Sequence, residues 1–288
     1  MHSNSFSFRS RVLFIALPIL LVVVFATCKK DNNNNTTTNP TTTTPTLTNN
    51  PTAKADYDNN AGGIYKGIVT GSAGYVYIFF KNSTNDVYAI LDFDGTRDSL
   101  LCPALNSYTL PGTTDISNAM FLSALGKQDT ILFSVKKDGS NPSMNVLIPG
   151  HSTSSSIRKE TSKEELKVYK GDIFDTLVAG YYTCGSSNIN TIGSVRQSNM
   201  TIMVQGSTAV LLPSRHLPPC VSTQAPSTFV VQVNNGVIEI DETGPPKKKN
   251  KFTVTDAAVT GTSICSIPID LGGEIDAYNS YITTTRVK

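Results

Sequence analysis

The chain has 288 residues and a formal net charge of +2, from 24 basic and 22 acidic side chains. The charges are not strongly segregated, so no basic face indicates a nucleic-acid partner. With three His, no Trp and abundant Ser, Thr and Asn, the composition suits an all-β envelope protein better than a cofactor-containing enzyme. We therefore expect no nucleic acid and no cofactor.

The N-terminus, residues 1–27, has the pattern of an export signal. Arg9 and Arg11 precede the apolar run Val12–Ala26, which is too short to span a bilayer as a helix. The run ends in Phe25-Ala26-Thr27-Cys28, which resembles a lipobox and differs from it at the first and third positions. The resemblance implies a diacylglycerol on Cys28. The alternatives are an ordinary signal peptide or an uncleaved membrane anchor.

The residues after this cysteine indicate a location. Cys28-Lys29-Lys30-Asp31 resembles the start of many Bacteroidota lipoproteins, in which charged residues at this place are associated with export to the surface. Two or more acyl chains hold a protein stably on a membrane. We expect an outer-membrane lipoprotein, at the cell surface or on the periplasmic face.

Residues 28–56 are predicted to be a disordered tether. Their core, Asp31 to Ala55, is composed mostly of Asn, Thr and Pro and has almost nothing to bury. A flexible coil of this length spans about 25–30 Å on average. The tether is expected to lift the folded body off the membrane.

The remaining residues, about 230, are enough for one large or two ordinary domains. Short runs rich in β-branched and aromatic residues alternate with turn residues, as in Tyr75–Lys81 and Asp86–Phe93. We predict an all-β protein with two antiparallel β-sandwich or barrel-like domains, residues 57–157 and 158–288. The polar stretch Ser152–Glu165 marks the junction, where Ser162-x-x-Glu165 has the pattern of a cap on a short helix.

The clearest local signal in the second domain is a hairpin. Val231–Val233 and Val237–Ile240 flank Asn235-Gly236, which favours a type I′ turn because both residues tolerate positive φ.

The first half of the body also resembles a wider group. Gly62-Gly63-Ile64-Tyr65-Lys66-Gly67, Phe93-Asp94-Gly95 and Ile148-Pro149-Gly150-His151 are similar to segments of uncharacterised Bacteroidota lipoproteins. The resemblance covers roughly residues 61–171. It implies an envelope location and a β architecture, and the group has no assigned activity to transfer.

One acidic motif resembles an enzyme signature. Leu91-Asp92-Phe93-Asp94-Gly95-Thr96 is similar to the first motif of haloacid dehalogenase-type phosphotransferases. That resemblance implies Asp92 as nucleophile, Asp94 as general acid and a Mg²⁺ ion. No helical periodicity follows the motif, so a β-hairpin with an Asp-Gly turn is the favoured interpretation. A calcium site formed by Asp92, Asp94 and Asp98 is a third.

Two other groups are candidate ligand contacts. Tyr75 and Tyr77 alternate along one strand and would stack on sugar rings if their face is exposed. Lys247, Lys248 and Lys249 form a basic run, predicted as a solvated hairpin tip or as a contact to an anionic glycan.

Four cysteines remain besides Cys28. We expect at most one disulfide in the second domain, Cys184–Cys220 or Cys220–Cys265, or else free thiols throughout. No Cys-x-x-Cys spacing indicates a zinc site.

Together these patterns favour a non-enzymatic envelope lipoprotein that binds a glycan or an envelope protein. A structural or assembly lipoprotein of the periplasm is the second hypothesis. A Mg²⁺-dependent phosphohydrolase using Asp92 and Asp94 is the third.

Overall fold

A computed structural model describes residues 47–71, 73–179, 183–184, 187–188, 195–214, 228–242, 247–269 and 274–287. The predicted all-β class is confirmed, because these residues form one closed barrel and one nearly closed sheet of eight antiparallel strands. Helix is limited there to a 3-10 turn, Ala55–Tyr57, and a short α1, Pro103–Asn106. Neither has the length and apolar character of a membrane-crossing helix.

The first barrel is the nearly closed sheet. Its spatial order is β7-β6-β5-β4-β3-β2-β1-β8. The strands are β1 Gly63–Val69, β2 Gly74–Phe80, β3 Val87–Phe93, β4 Thr96–Leu101, β5 Ile116–Ser123, β6 Thr130–Val135, β7 Ser143–Leu147 and β8 Ser155–Glu160.

Alternation of side chains along the strands fills this barrel. In β2, Val76, Ile78 and Phe80 point inward and are fully buried, while Tyr75 and Tyr77 lie on the outer face. Successive residues of a strand point to opposite sides of the sheet. The inner face is therefore a continuous apolar core, and the outer face of β2 carries its aromatic rings.

Side chains close the gap between the edge strands β7 and β8. Ser155 donates its hydroxyl to the carbonyl of Met144 at 2.8 Å, and Thr153 donates its hydroxyl to the carbonyl of Val146. Gly67 lies next to these contacts between β7 and β8, where an added Cβ would be 2.6 Å from the Cε atom of Met144. A larger residue at position 67 would push β7 and β8 apart.

The second barrel is closed, in the order β12-β13-β14-β15-β16-β17-β18-β9. Its strands and a separate ribbon, β10–β11, are β9 Leu166–Ala179, β10 Thr183–Cys184, β11 Ser187–Asn188, β12 Val195–Gln205, β13 Thr208–Ser214, β14 Phe229–Asn234, β15 Val237–Glu242, β16 Lys247–Val254, β17 Val259–Ile269 and β18 Glu274–Arg286. The predicted Asn235-Gly236 hairpin is confirmed between β14 and β15, with φ of 51° and 71° at its two turn residues.

The chain passes from one barrel to the other at residues 161–165. β8 stays paired with β1 as far as Glu160, so the predicted boundary at 157/158 falls inside this strand. The predicted helix at Ser162–Glu165 was wrong. Thr161 and Glu164 pair through their backbones in a tight turn, which leads directly into β9.

The two barrels pack wall against wall within one compact unit. The outer faces of β1 and β2 contribute Ile68 and Tyr75 to an apolar cluster. The second barrel contributes residues from β9, β12 and β13, namely Leu166, Val168, Met203, Val210 and Leu212. The outer walls of both barrels are thus partly apolar because they cover each other.

The segment Leu47–Asn60, here called the strap, crosses this junction. Residues 28–46 of the predicted tether lie outside the described residues, but the expectation of disorder was wrong for residues 47–56. Leu47 packs against the core of the second barrel. Thr52 hydrogen-bonds Glu160 in the first barrel through both its backbone N–H and its hydroxyl, at 2.7 and 2.8 Å.

Candidate functional site

The acidic motif lies on an antiparallel hairpin, β3–β4, with Asp94 and Gly95 in the turn at φ of 52° and 73°. β3 pairs antiparallel with β2 on its other side. Phosphotransferases of the haloacid dehalogenase type place this motif after a strand of a parallel sheet. The favoured hairpin interpretation is confirmed, and the strand-to-helix setting that the resemblance implies was wrong.

Two of the three carboxylates of the motif also lie on opposite faces of the sheet. Asp92 lies on the outer face of the sheet and pairs with Lys170 of β9 at 3.1 Å. Asp98 points inward, is 3% exposed and accepts hydrogen bonds from the Ser99 N–H at 2.8 Å and the Ser123 hydroxyl at 2.5 Å. Because Asp92 and Asp98 lie on opposite faces, the calcium interpretation was wrong. No cluster of three His, Cys, Asp or Glu side chains suited to a metal occurs among the described residues.

The predicted tyrosine platform is covered. Tyr75 is 5% exposed and lies in the cluster between the barrels, and its ring centroid is 5.0 Å from that of Tyr77. The ammonium of Lys170 lies 5.5 Å from the Tyr75 ring centroid, and that of Lys66 lies 5.7 Å from the Tyr77 centroid. Stacking of a sugar on this pair was therefore a wrong prediction, since the second barrel occupies the face.

The basic run is not a hairpin tip, because Lys247–Val254 forms β16 and pairs with β15. In the backbone register Lys248 is opposite Glu242, and Lys249 is opposite Asp241. A contact of this run with an anionic glycan stays a prediction.

The described residues include only some of the cysteines for which a role was predicted. Cys184 lies in β10 and Cys265 in β17, whereas Cys220 and the lipidation residue Cys28 lie outside the described residues. Cys102 has a free, buried thiol. The second-domain disulfide and the lipid on Cys28 remain predictions.

A buried carboxylate that the sequence did not single out holds the junction. The Glu160 side chain is fully buried and forms an ion pair with Lys66, whose ammonium also donates to the Leu166 carbonyl at 3.0 Å. Glu160 accepts further bonds from the N–H groups of Ala53 at 3.1 Å and Leu166 at 3.0 Å. Burial raises the pKa of Glu160, but the charge of Lys66 and these donors outweigh it and hold that pKa below its usual value.

A second ionic cluster joins the strap to the end of the chain. Glu165 pairs with Arg286 and lies 3.5 Å from the ammonium of Lys167, which is 3.3 Å from Asp256. The N–H of Thr48 donates to both carboxylate oxygens of Asp256, at 3.1 and 3.0 Å. The groups in both clusters belong to the strap, to β8 and β9, and to the C-terminal residues. Both clusters therefore have a structural role, because they hold these parts of the chain together.

Among the described residues, an apolar line on the outer wall of the first barrel is partly exposed. It consists of Phe79, Tyr88, Leu101, Leu122 and Leu147, here called the outer row. Each is the direct cross-strand neighbour of the next, except that Thr130 stands between the last two.

The outer row combines a stacked aromatic pair with exposed aliphatic side chains. The rings of Phe79 and Tyr88 lie 4.8 Å apart with an interplanar angle of 18°. Leu101, Leu122 and Leu147 are 49%, 49% and 46% exposed, and Met120 beside them is 49% exposed. Single exposed apolar residues are ordinary, but a contiguous set marks an interaction surface.

The sequence contains a signal for this surface that our predictions did not use. The run Ala119-Met120-Phe121-Leu122 in β5 is apolar at every position, although Ala119 and Phe121 alone face the core. Strands that are buried on both faces have continuous apolar runs of this kind. Here the outer face has no cover within the described residues.

In comparisons with known proteins, no family model, curated protein or solved structure matches this chain.

Proposed function

We propose that this protein is a cell-envelope lipoprotein, anchored through Cys28 to the outer membrane, that binds another protein through the outer row of its first barrel. Its activity on this proposal is association and not catalysis. The observation that carries the proposal is an apolar line in which the exposed Leu101, Leu122 and Leu147 continue the half-buried aromatic pair Phe79 and Tyr88.

The chemistry of the row favours a protein over a glycan. Sugars are held by free aromatic faces, and the Tyr75–Tyr77 pair that would supply them is covered by the second barrel. The exposed members of the row are mainly leucines, which gain most by contact with another apolar surface. Protein interfaces place such residues at their centre and exclude charge from it.

The test compares charged substitutions on the two barrels. In Leu101→Lys combined with Leu122→Lys, both new ammonium groups would enter the interface, and binding should weaken at least about tenfold, which is 1.4 kcal/mol. On native gels of detergent-extracted envelopes, the unsubstituted protein should migrate in an assembly larger than one chain, and the double variant as a single chain.

The matched control is Val230→Lys, since Val230 is 63% exposed on the wall of the second barrel. That variant should keep the assembly. If the unsubstituted protein migrates as a single chain, or if the double variant keeps the larger assembly, the proposed function is wrong.

A further inference from the structure

The part of the outer wall formed by β5, β6 and β7 carries no charge, whereas β3 and β4 carry the facing pair Asp92 and Arg97 four positions from Tyr88 and Leu101. The strands β5, β6 and β7 contain no Asp, Glu, Lys or Arg at any position. Their exposed outward residues are small polar or aliphatic, such as Ser117, Met120, Leu122, Asn145 and Leu147. Lys and Glu are depleted at the centre of protein interfaces, whereas an ordinary solvated wall carries them.

The row is continuous with an interface that already exists in the molecule. On the outer face of β2, Tyr75 and Tyr77 lie against the second barrel, and Phe79 follows two positions later on the same face. Phe79 stacks on Tyr88, which is opposite Leu101. One apolar wall therefore begins beneath the second barrel of the same chain and continues beyond it through Phe79, Tyr88, Leu101 and Leu122.

This continuity shows what kind of surface fits the wall. The part of the wall that is covered lies against the convex wall of another eight-stranded barrel, through Val168, Met203 and Val210. The uncovered part is likewise composed of aromatic and aliphatic side chains. A β-barrel wall of the same type is thus a suitable occupant.

Resting on the proposed function, we propose that the protein bound by the outer row is a second copy of this chain. In a two-fold symmetric contact the residues at the axis meet their own copies, so a charge at the centre of the contact would meet a like charge. An uncharged row of Leu and aromatic residues avoids this repulsion and is compatible with itself. Leu101 and Leu122, at the centre of the row, pack across the two-fold axis.

The experiment uses the full chain in its native envelope and asks which protein lies on the row. Two differently tagged copies are expressed together, with a photocrosslinking phenylalanine analogue in place of Leu122 in one of them. Illumination should yield an adduct of twice the chain mass that carries both tags. The same analogue at Val230 is the matched control and should yield no such adduct.

A second substitution ties the adduct to the row. Leu101→Lys should reduce the two-tag adduct at least about tenfold. Met120→Lys should also reduce it, and thermal unfolding of both variants should match that of the parent, because both side chains are about half exposed.

The outcomes separate this inference from the proposed function. An adduct with a different protein, lost in Leu101→Lys, would overturn the second copy and leave the proposed function standing. No row-dependent adduct of any kind would overturn both. A two-tag adduct that persists in both lysine variants would place the contact elsewhere and would also refute the inference.

Discussion

At the scale of single residues, Glu160 shows how many segments of the chain one buried charge can bring together. Its carboxylate accepts hydrogen bonds from an ammonium of β1, from two N–H groups and a hydroxyl of the strap, and from one N–H group at the start of β9. A buried carboxylate is tolerated only when such partners replace water. Four chain segments are therefore required to meet at this one side chain.

We predict that Glu160→Gln destabilises the protein by about 3 kcal/mol, because it leaves the Lys66 ammonium without its counter-charge in a largely buried site. Urea unfolding followed by circular dichroism measures the change. The matched control is Glu239→Gln, which breaks an exposed pair with Lys251 and should cost less than about 1 kcal/mol. Equal costs for the two variants would contradict this account of the junction.

Three carboxylates, including that of Glu160, predict that the stability of the protein decreases in acid. The pKa values of Glu160, Asp58 and Asp256 all lie below their ordinary values, because donated hydrogen bonds and nearby ammonium groups outweigh the effect of burial. The unfolded chain then binds protons more readily than the folded protein, so stability rises with pH through this range.

This contribution should be complete above about pH 5 and lost as the pH falls through the lowered pKa values. Thermal unfolding between pH 3 and pH 6 measures the effect, and Glu160→Gln should show a shallower dependence than the parent. Parallel curves for the two proteins would exclude Glu160 as a source of the acid sensitivity.

At the scale of elements, the strap and β5 show that the environment of a segment depends on which other parts of the chain contact it. The strap has the polar composition of a linker, yet its Thr48, Asn50 and Thr52 N–H groups all donate to carboxylates of the body. β5 has the composition of a buried strand, yet its Met120 and Leu122 are half exposed. In both cases composition predicted local character and tertiary contacts determined the environment.

We predict that removal of the strap weakens both barrels together. A chain that begins at Lys54 lacks the donors from Thr52 and Ala53 to Glu160, and should lose at least about 2 kcal/mol of stability. A chain that begins at Leu47 retains these donors and is the control. Both are compared by their urea midpoints, and identical midpoints would mean that the strap does not stabilise the junction.

At the scale of the whole molecule, the strap gives the proposed anchor a defined point of attachment. The chain from Cys28 would reach the body at Leu47, which packs against the second barrel, and would then cross to the first barrel at Thr52. A lipid on Cys28 would thus hold both barrels through their junction.

We predict that Cys28→Ala moves the protein from the membrane fraction to the soluble fraction, because stable attachment needs the acyl chains. The distribution of the variant is measured after cell lysis and centrifugation. Cys102→Ala, which removes a free thiol inside the first barrel, is the control and should remain in the membrane fraction. A Cys28→Ala protein that sediments with the membranes would refute the lipid anchor.

By itself, the sequence determined the β architecture and its tightest turns. Alternation in β2 and the residue pairs Asp94-Gly95 and Asn235-Gly236 are local signals, since strand faces and positive φ depend on adjacent residues. Tertiary structure alone decided that Tyr75 is covered, that Leu122 is exposed, and that the polar strap is part of the fold. Burial depends on contacts between residues far apart in the chain, such as Thr52 with Glu160, and those contacts exist only once both barrels have formed.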